Sequence, residues 1–199
     1  MKKFPVMEHF YTIQGEGVFT GYPAYFIRLA GCDVGCTWCD VKDSWDTAGY
    51  PVFSPEEMCD WVLRAGANRV VITGGEPAMY DLTSISEIMI SNNIKIHIET
   101  SAAHPIIGQF NWVCISPKKF KFPIPEEMIK ANELKCIVYN KSDFEWAEQW
   151  AQTCDANCAL FIQPEWDRRE KMMPLIVEYV RENPHWRISL QTHKYLNIP

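Results

Sequence analysis

Three cysteines, Cys32, Cys36 and Cys39, stand within eight residues in the segment "GCDVGCTWCD". The spacing C-x3-C-x2-C is compatible with a metal site, with parts of disulfides or with small buried hydrophobic residues. Iron–sulfur clusters are held by cysteine thiolates, and a cluster with four irons normally takes four of them. Three thiolates would leave one iron without a protein ligand, and an open position is what separates catalytic from closed structural metal sites. The spacing therefore favours a reactive cluster that binds a further molecule.

The composition of the 199-residue chain indicates a single domain, 1–199, in a reducing compartment. Its start lacks the apolar run of a signal peptide, and no stretch approaches the roughly 18 apolar residues of a membrane span, so we expect a cytoplasmic protein. There, cysteines are more often metal ligands, catalytic groups or core residues than disulfides. The net charge of −6, without a run of lysine or arginine, argues against a nucleic-acid or anionic-membrane partner. A small-molecule substrate fits better.

The other five cysteines fall into two groups. Cys59, Cys114 and Cys136 lie in apolar helix or strand patterns, where free cysteine commonly packs as a small core residue. Cys154 and Cys158, in "CDANC", are four residues apart and could face the same point. Since no further cysteine lies near them in sequence, an auxiliary metal site is the lesser of two readings, and their role stays open.

Strand-like and helix-like runs alternate along the chain. Strand-like runs lie at 24–30, 69–73, 94–99, 112–116, 134–139, 159–163 and 187–191. Helical patterns lie at 54–66, which begins with a capping box of Ser54 and Glu57, and at 81–92, 125–132, 142–153 and 169–183, the last interrupted by Pro174. Apolar strands separated by helices indicate a mainly parallel sheet. Because a closed eight-stranded barrel takes about 250 residues, we predict an incomplete α/β barrel of six to seven mainly parallel strands.

The cysteines lie in a long loop, 31–53, directly after the first predicted barrel strand. In such folds the chemistry sits at the carboxyl ends of the strands. A second motif, "TGGEP" at Thr73–Pro77, follows the next strand, and its glycines would let backbone carbonyls approach a bound ammonium. The cysteines alone also allow a zinc site, with His9 or His97 as a distant fourth ligand, or a plain electron-transfer cluster. Neither alternative needs the glycine motif.

The two motifs together, each just after a strand of a short parallel α/β chain, resemble the radical S-adenosylmethionine superfamily. Within it the chain is similar to the 7-carboxy-7-deazaguanine synthases, in "EHFYTIQGEGVFTGYPAYFIRLAGC", "VVITGGEP", "IHIETS", "ISPK", "LFIQP" and "QTHKYLNIP". The resemblance implies that Cys32, Cys36 and Cys39 hold a 4Fe–4S cluster whose open iron takes S-adenosyl-L-methionine. It implies conversion of 6-carboxy-5,6,7,8-tetrahydropterin to 7-carboxy-7-deazaguanine with loss of ammonia, in queuosine and 7-deazapurine biosynthesis. No catalytic side chain is expected beyond the cluster and the cofactor.

The resemblance also assigns residues to each ligand. It places the pterin substrate against Ile13, Gln14, Gly15, Glu16, Arg28, Thr73, His193 and the carboxylate of Pro199. It places the cofactor against Trp38, Gly74, Gly75, Glu76, Glu99, Ser116, Pro117, Lys118, Gln163 and Pro164. Taken alone, an arginine inside an apolar strand is more often paired with a structural carboxylate, and His193 would be a surface histidine. The resemblance favours substrate binding for both.

The chain departs from the family at one position. After the last cysteine and its aspartate the family commonly has a threonine whose hydroxyl binds a magnesium ion, whereas this chain has Asp40 and then Val41. Magnesium requires oxygen ligands, and valine has none, so magnesium binding is open, with water or an oxygen of Asp43 or Ser44 as replacement.

The family further implies a homodimer and a flavodoxin-like electron donor. A glycyl-radical-enzyme activase and a non-catalytic iron–sulfur electron carrier are the alternative functions. The pterin-type segments near both ends of the chain speak against them.

Overall fold

The computed structural model describes residues 2–199 and contains a nine-stranded sheet with helices packed against it. The strands are β1 (Phe4–Ile13), β2 (Pro23–Leu29), β3 (Val52–Phe53), β4 (Arg69–Gly74), β5 (Lys95–Thr100), β6 (Trp112–Ile115), β7 (Glu133–Val138), β8 (Ala159–Pro164) and β9 (Trp186–Ile188). The α-helices are α1 (Pro55–Arg64), α2 (Thr83–Ser91), α3 (Ser142–Ala151), α4 (Arg169–Glu182) and α5 (Thr192–Leu196). Short 3-10 helices cover Gly17–Phe19, Lys42–Trp45, Pro77–Met79, Pro125–Lys130 and Trp166–Arg168.

The sheet is open and mainly parallel, as an incomplete barrel requires. Its strand order is β3-β1-β2-β4-β5-β6-β7-β8-β9, so β3 and β9 are its two edges. Strands β2 and β4 to β9 run parallel and coincide with the seven apolar runs of the sequence. Strands β1 and β3 are antiparallel additions that the sequence did not predict. Most of β1 is only partly buried, so it lacks the continuous apolar run of a parallel strand.

The helices follow the predicted pattern with two corrections. Helix α1 begins with the predicted capping box, in which Ser54 accepts from the Glu57 amide and Glu57 accepts from the Ser54 amide. The segment predicted as a helix at 125–132 is a 3-10 helix. Pro174 does not interrupt α4, because it lies near the N-terminal end and removes only the bond to the carbonyl of Glu170, an exposed residue. None of the helices in residues 2–199 has the length and apolar character needed to cross a membrane.

Strand alternation places apolar and polar side chains on opposite faces of the sheet. Four strands each carry a fully buried isoleucine followed by a polar residue, in the pairs Ile27–Arg28, Ile72–Thr73, Ile98–Glu99 and Ile162–Gln163. The isoleucines belong to the main core, together with residues of α1, α2 and α4. The polar partners stand near the carboxyl ends of their strands and line one cavity. Successive residues of a strand point to opposite faces, so one local pattern builds both the core and the site.

Candidate active site

A cavity of about 300 Å³ lies at the carboxyl ends of the parallel strands. Its walls come from β2, β4, β5, β7 and β8, from the cysteine loop, from the turn 13–16 and from the C-terminal segment. Its size is at the lower end of the range for small-molecule sites, about 300 to 1,000 Å³. Every residue proposed for the substrate, the cofactor or the cluster borders this cavity except Pro117, which is buried elsewhere. The fold thus brings together residues that are far apart in sequence.

The cysteine loop borders the cavity with all three of its thiols, which are free. The loop begins directly after β2, and backbone hydrogen bonds join its first residues to its middle. The Gly31 amide donates to the Ser44 carbonyl at 2.7 Å, and the Cys32 amide donates to the Trp45 carbonyl at 3.2 Å. A further bond of 3.1 Å runs from the Cys39 amide to the Cys36 carbonyl. Three thiols are therefore presented to one space without any disulfide among them.

Burial favours the protonated form of two of these thiols, those of Cys32 and Cys36. It raises the pKa of Cys32, and it raises the pKa of Cys36 to about 11, although the nearby Lys118 ammonium acts in the opposite direction on Cys36. Iron binds the thiolate, so loading of a cluster must displace protons here. Burial likewise lowers the pKa of Lys118, whose ammonium donates to the carbonyl and to the hydroxyl oxygen of Ser116, both at 2.6 Å.

The arrangement does not support the zinc alternative. The ring of His9 stacks on Trp61 at 3.8 Å, and His97 is buried 4.6 Å from the ring of Phe19. Neither histidine lines the cavity. Three thiols that border one cavity fit a cluster, in which each cysteine binds its own iron.

The glycine motif joins β4 to the start of the cysteine loop. The Gly75 amide donates to the Leu29 carbonyl at 2.9 Å, and the Glu76 amide donates to the Gly31 carbonyl at 2.8 Å. A Cβ atom at Gly75 would overlap the Gly31 carbonyl and stand 2.8 Å from Cys32 Cβ. Glycine is therefore required here because the backbone of β4 lies against the loop that carries the first cysteine.

The Glu76 side chain has a structural task of its own. Its carboxylate is 2 % exposed and accepts hydrogen bonds from the Ala78 amide at 2.9 Å and from the Ser101 amide at 2.8 Å. The hydroxyls of Thr100 and Ser101 also donate to it. A carboxylate with this many donors holds the end of β5 against the glycine motif.

The turn 13–16 is held in place by side chains from the sheet. Gln14 Nε2 donates to Glu99 Oε1 at 2.8 Å, and Gln14 Oε1 accepts from the Glu16 amide at 3.1 Å. Lys135 of β7 pairs with the carboxylates of both Glu16 and Glu99, the latter at 3.1 Å. Burial by itself would lower the pKa of Lys135, but the two carboxylates outweigh it and hold that pKa well above its usual range. Burial by itself would raise the pKa of Glu99, but Lys135, together with the hydrogen bond from Gln14 and the charge of Arg28, lowers that pKa.

The C-terminal segment packs on the same turn. The carbonyl of Gly15 accepts from the Thr192 amide at 2.9 Å and from the Thr192 hydroxyl at 3.0 Å. A Cβ atom at Gly15 would stand 2.8 Å from the backbone nitrogen of His193, so a larger residue would displace this segment. Pro199 also borders the cavity, and its backbone oxygen accepts from the Thr12 hydroxyl at 3.3 Å. The C-terminal segment therefore meets the turn 13–16 and the end of β1 at the cavity.

Arg28 is placed for both of the roles considered from the sequence, because it pairs with a structural carboxylate and also borders the cavity. Its Nε donates to Glu8 Oε1 of the neighbouring strand β1 at 2.7 Å, as expected for an arginine with a structural partner. It also lines the cavity.

Several cavity residues were not anticipated from the sequence. They are Phe10, Phe26, Val34, Trp45, Ser101, Lys135, Ile137, Glu165, Trp166 and Gln191. Most of them carry no local signal, since an apolar or aromatic residue in a strand is usually core. Lys135 did carry one, because a lysine inside the apolar run "LKCIVY" must find a partner when it is buried. Among the remaining cysteines, Cys59, Cys114 and Cys136 are buried, as predicted. Cys154 and Cys158, whose role the sequence left open, pack against the core as free thiols.

Comparison with known proteins agrees with this site. A family model described as the radical SAM superfamily matches residues 26–109, which include the three cysteines and the glycine motif. The 7-carboxy-7-deazaguanine synthase of Flavobacterium psychrophilum is 52% identical over 195 residues, covering 98% of this chain and 92% of the relative. The synthase of the same name from Synechocystis sp. is 43% identical, with coverage of 98% and 93%. That from Escherichia coli K12 is 35% identical, with coverage of 98% and 99%.

The similarity extends to the fold. The crystal structure of QueE from Escherichia coli matches with a TM-score of 0.86 at 32% identity, covering 94% of this chain and 93% of that one. Membership of the radical SAM superfamily implies a 4Fe–4S cluster and S-adenosylmethionine, and the three free thiols beside the cavity fit such a cluster. Because the relatives match over nearly the whole chain, the chain belongs to the 7-carboxy-7-deazaguanine synthase family of the radical SAM superfamily.

Proposed function

We propose that this protein is a carbon–nitrogen lyase that converts 6-carboxy-5,6,7,8-tetrahydropterin to 7-carboxy-7-deazaguanine in queuosine and 7-deazapurine biosynthesis. Substrate and product differ by one molecule of ammonia, so the overall reaction needs no net oxidant. One observation carries the proposal: a single cavity has the three thiols on its wall together with the turn 13–16, Arg28 and His193. The names of the whole-length relatives support the same reaction and disfavour an activase or an electron carrier.

Cys32, Cys36 and Cys39 would hold the cluster, each through its own thiolate. When bound, the cluster and S-adenosylmethionine supply the means to abstract a hydrogen atom from an unactivated carbon. The protein's part is to bind both molecules, orient them and exclude water. No side chain of this chain is assigned an acid, base or nucleophile role in the reaction.

We assign the cofactor to the part of the cavity nearest the cysteines. Gly74 and Gly75 lie at the end of β4, where Gly75 is packed against the cysteine loop, so their backbone carbonyls are the groups available to the cofactor ammonium. The other proposed cofactor residues that line the cavity are Trp38, Glu76, Glu99, Ser116, Lys118, Gln163 and Pro164. Pro117, between Ser116 and Lys118, is also proposed but does not line the cavity.

We assign the pterin to the turn 13–16 and the residues opposite it. An aminopyrimidinone edge offers N–H donors and a carbonyl acceptor, which match the Glu16 carboxylate and the backbone groups of Ile13, Gln14 and Gly15. The Arg28 guanidinium is suited to the substrate carboxylate, since it presents several donors in one plane. Thr73, His193 and the carboxylate of Pro199 complete the proposed contacts. Burial lowers the pKa of His193, which favours a neutral ring that both donates and accepts.

The residues beside the last cysteine do not fit the magnesium site of the family. Val41 offers no side-chain oxygen, and its carbonyl accepts from the Ser44 hydroxyl at 2.6 Å. The Asp40 carboxylate is paired with Lys194 at 3.1 Å. We therefore propose that activity depends only weakly on magnesium and assign the ion no step.

The protein is further proposed to act in the cytoplasm as a homodimer of one-domain subunits. Because cluster chemistry begins with an electron from outside, a flavodoxin-like protein is the proposed donor.

The decisive experiment offers the anaerobically reconstituted protein carboxytetrahydropterin, S-adenosylmethionine and a chemical reductant. We expect carboxydeazaguanine and ammonia in equal amounts. The matched control is Cys36→Ala, which should form neither product. If the wild-type protein cleaves S-adenosylmethionine but forms no carboxydeazaguanine, the proposed substrate is wrong.

A further inference from the structure

A buried ammonium, that of Lys135, lies in the wall of the cavity. Lys135 stands on β7 with 4 % of its side chain exposed, and it pairs with both Glu16 and Glu99. Lysine is almost never fully buried unless it is paired. Both carboxylates line the cavity, and so does Lys135 itself. The pairing is therefore part of the cavity wall.

The two carboxylates come from different parts of the proposed site. Glu16 belongs to the turn assigned to the pterin, whereas Glu99 ends β5 on the side assigned to the cofactor. Gln14 adds a second link between these parts, because its Nε2 donates to Glu99 Oε1 at 2.8 Å. Lys135 is thus bonded to one group from each ligand's wall.

We propose that Lys135 is a positioning residue for the reaction: its ammonium holds the Glu16 carboxylate at a fixed place relative to Glu99 and so sets where the pterin lies with respect to the cofactor. This inference rests on the proposed function. A lysine with two carboxylates is a poor device for stability alone, since apolar residues of similar volume often serve a core equally well. The same trio serves a site well, because it fixes two acceptors that face a ligand.

The charges around Lys135 explain why removal of its ammonium would change how the substrate is bound. Without the ammonium, Glu16 and Glu99 would be two like charges near one another with little water, and such a pair tends to keep one proton. Glu16 would then lose its fixed orientation and part of its capacity to accept hydrogen bonds from the pterin. The other ionisable groups that face this cluster are Arg28 of β2, Cys114 of β6, Glu133 of β7, Lys118 after β6 and His193 of α5.

The test compares Lys135→Met and Lys135→Arg with the wild-type holoenzyme. Lys171→Met, a change at an exposed lysine of α4, is the control for loss of one lysine charge. For Lys135→Met we expect wild-type iron content, a fall in kcat/KM of about a hundredfold and a fall in kcat at saturating substrate. We also expect more 5'-deoxyadenosine per product, since misplaced substrate uncouples cofactor cleavage from turnover. Lys135→Arg keeps the charge, so its kcat/KM should be at least about tenfold higher than that of Lys135→Met. Lys171→Met should match the wild type.

Wild-type kcat and KM in Lys135→Met would overturn the inference. Equal losses in the methionine and arginine variants, together with loss of iron, would also overturn it, because they would indicate a structural role. Should Lys135→Met fail to fold, Lys135→Gln is measured under the same criteria. An inactive wild-type enzyme would instead refute the proposed function, so the two failures are distinguishable.

Discussion

The contact between Gly75 and the cysteine loop leads to a specific prediction for Gly75→Ala. A Cβ atom there would overlap the Gly31 carbonyl and stand 2.8 Å from Cys32 Cβ, where ordinary contacts are 3.4–4 Å. The neighbours are backbone and a Cβ atom, so no flexible side chain can move aside. The start of the loop must therefore retreat by more than half an ångström, and Cys32 with it.

The cost of the substitution follows from this geometry. Overpacking of a well-packed site costs about 1–3 kcal/mol, which for a chain of this size lowers Tm by about 2–12 °C. The chain should stay folded at room temperature, but displacement of a ligand-holding group by about 1 Å costs up to about a hundredfold in rate. We expect a lower content of iron and sulfide after anaerobic reconstitution. The rate of S-adenosylmethionine cleavage should fall by a larger factor than the iron content does.

The control is Gly49→Ala in the same loop. A Cβ atom at Gly49 would meet nothing within 4 Å, although its φ of +88° makes alanine strained. This variant should lose about 1–2 kcal/mol of folding stability and keep its iron. If Gly75→Ala retains full iron and full cleavage, or if Gly49→Ala loses as much iron, the close approach of β4 to the loop does not position the cluster.

Three further predictions concern the cluster, the metal and the fold. Cys36→Ala should lose the iron and the brown colour of the reconstituted protein, whereas Cys59→Ala, a change at a buried core cysteine, should keep both; zinc in anaerobically purified protein would contradict the assignment. Val41→Thr should make turnover more dependent on magnesium than it is in the wild type, as measured after chelation and then across a magnesium titration; a wild type that is inactive without the ion would refute the reasoning. Lys135 lowers the pKa of Glu99, against the effect of burial. The charged carboxylate therefore stabilises the folded state at pH values above the unfolded pKa of about 4.3. This stabilisation is lost as the pH falls through the lower pKa of the folded state. Between pH 5 and about 3 the Tm of the wild type should therefore fall more steeply than that of Glu99→Gln, and parallel curves would exclude this contribution.

The sequence determined those features that depend on neighbours along the chain. The spacing of Cys32, Cys36 and Cys39 places three thiols in one loop, and the capping box of Ser54 and Glu57 sets the start of α1. The runs of mainly apolar residues predicted all the parallel strands, because the core-facing residues of each strand are apolar and recur at every second position.

Only the tertiary structure decided what these residues contact. Lys135 pairs with Glu16 across 119 positions of sequence and with Glu99 across 36, and Arg28 found its carboxylate partner in β1, a strand that the apolar pattern missed. Gly75 is required by a loop that precedes it by more than 40 residues. Hydrogen-bond and backbone preferences act over a few residues and can be read locally, whereas the partners of buried charges depend on how the strands are ordered in the sheet.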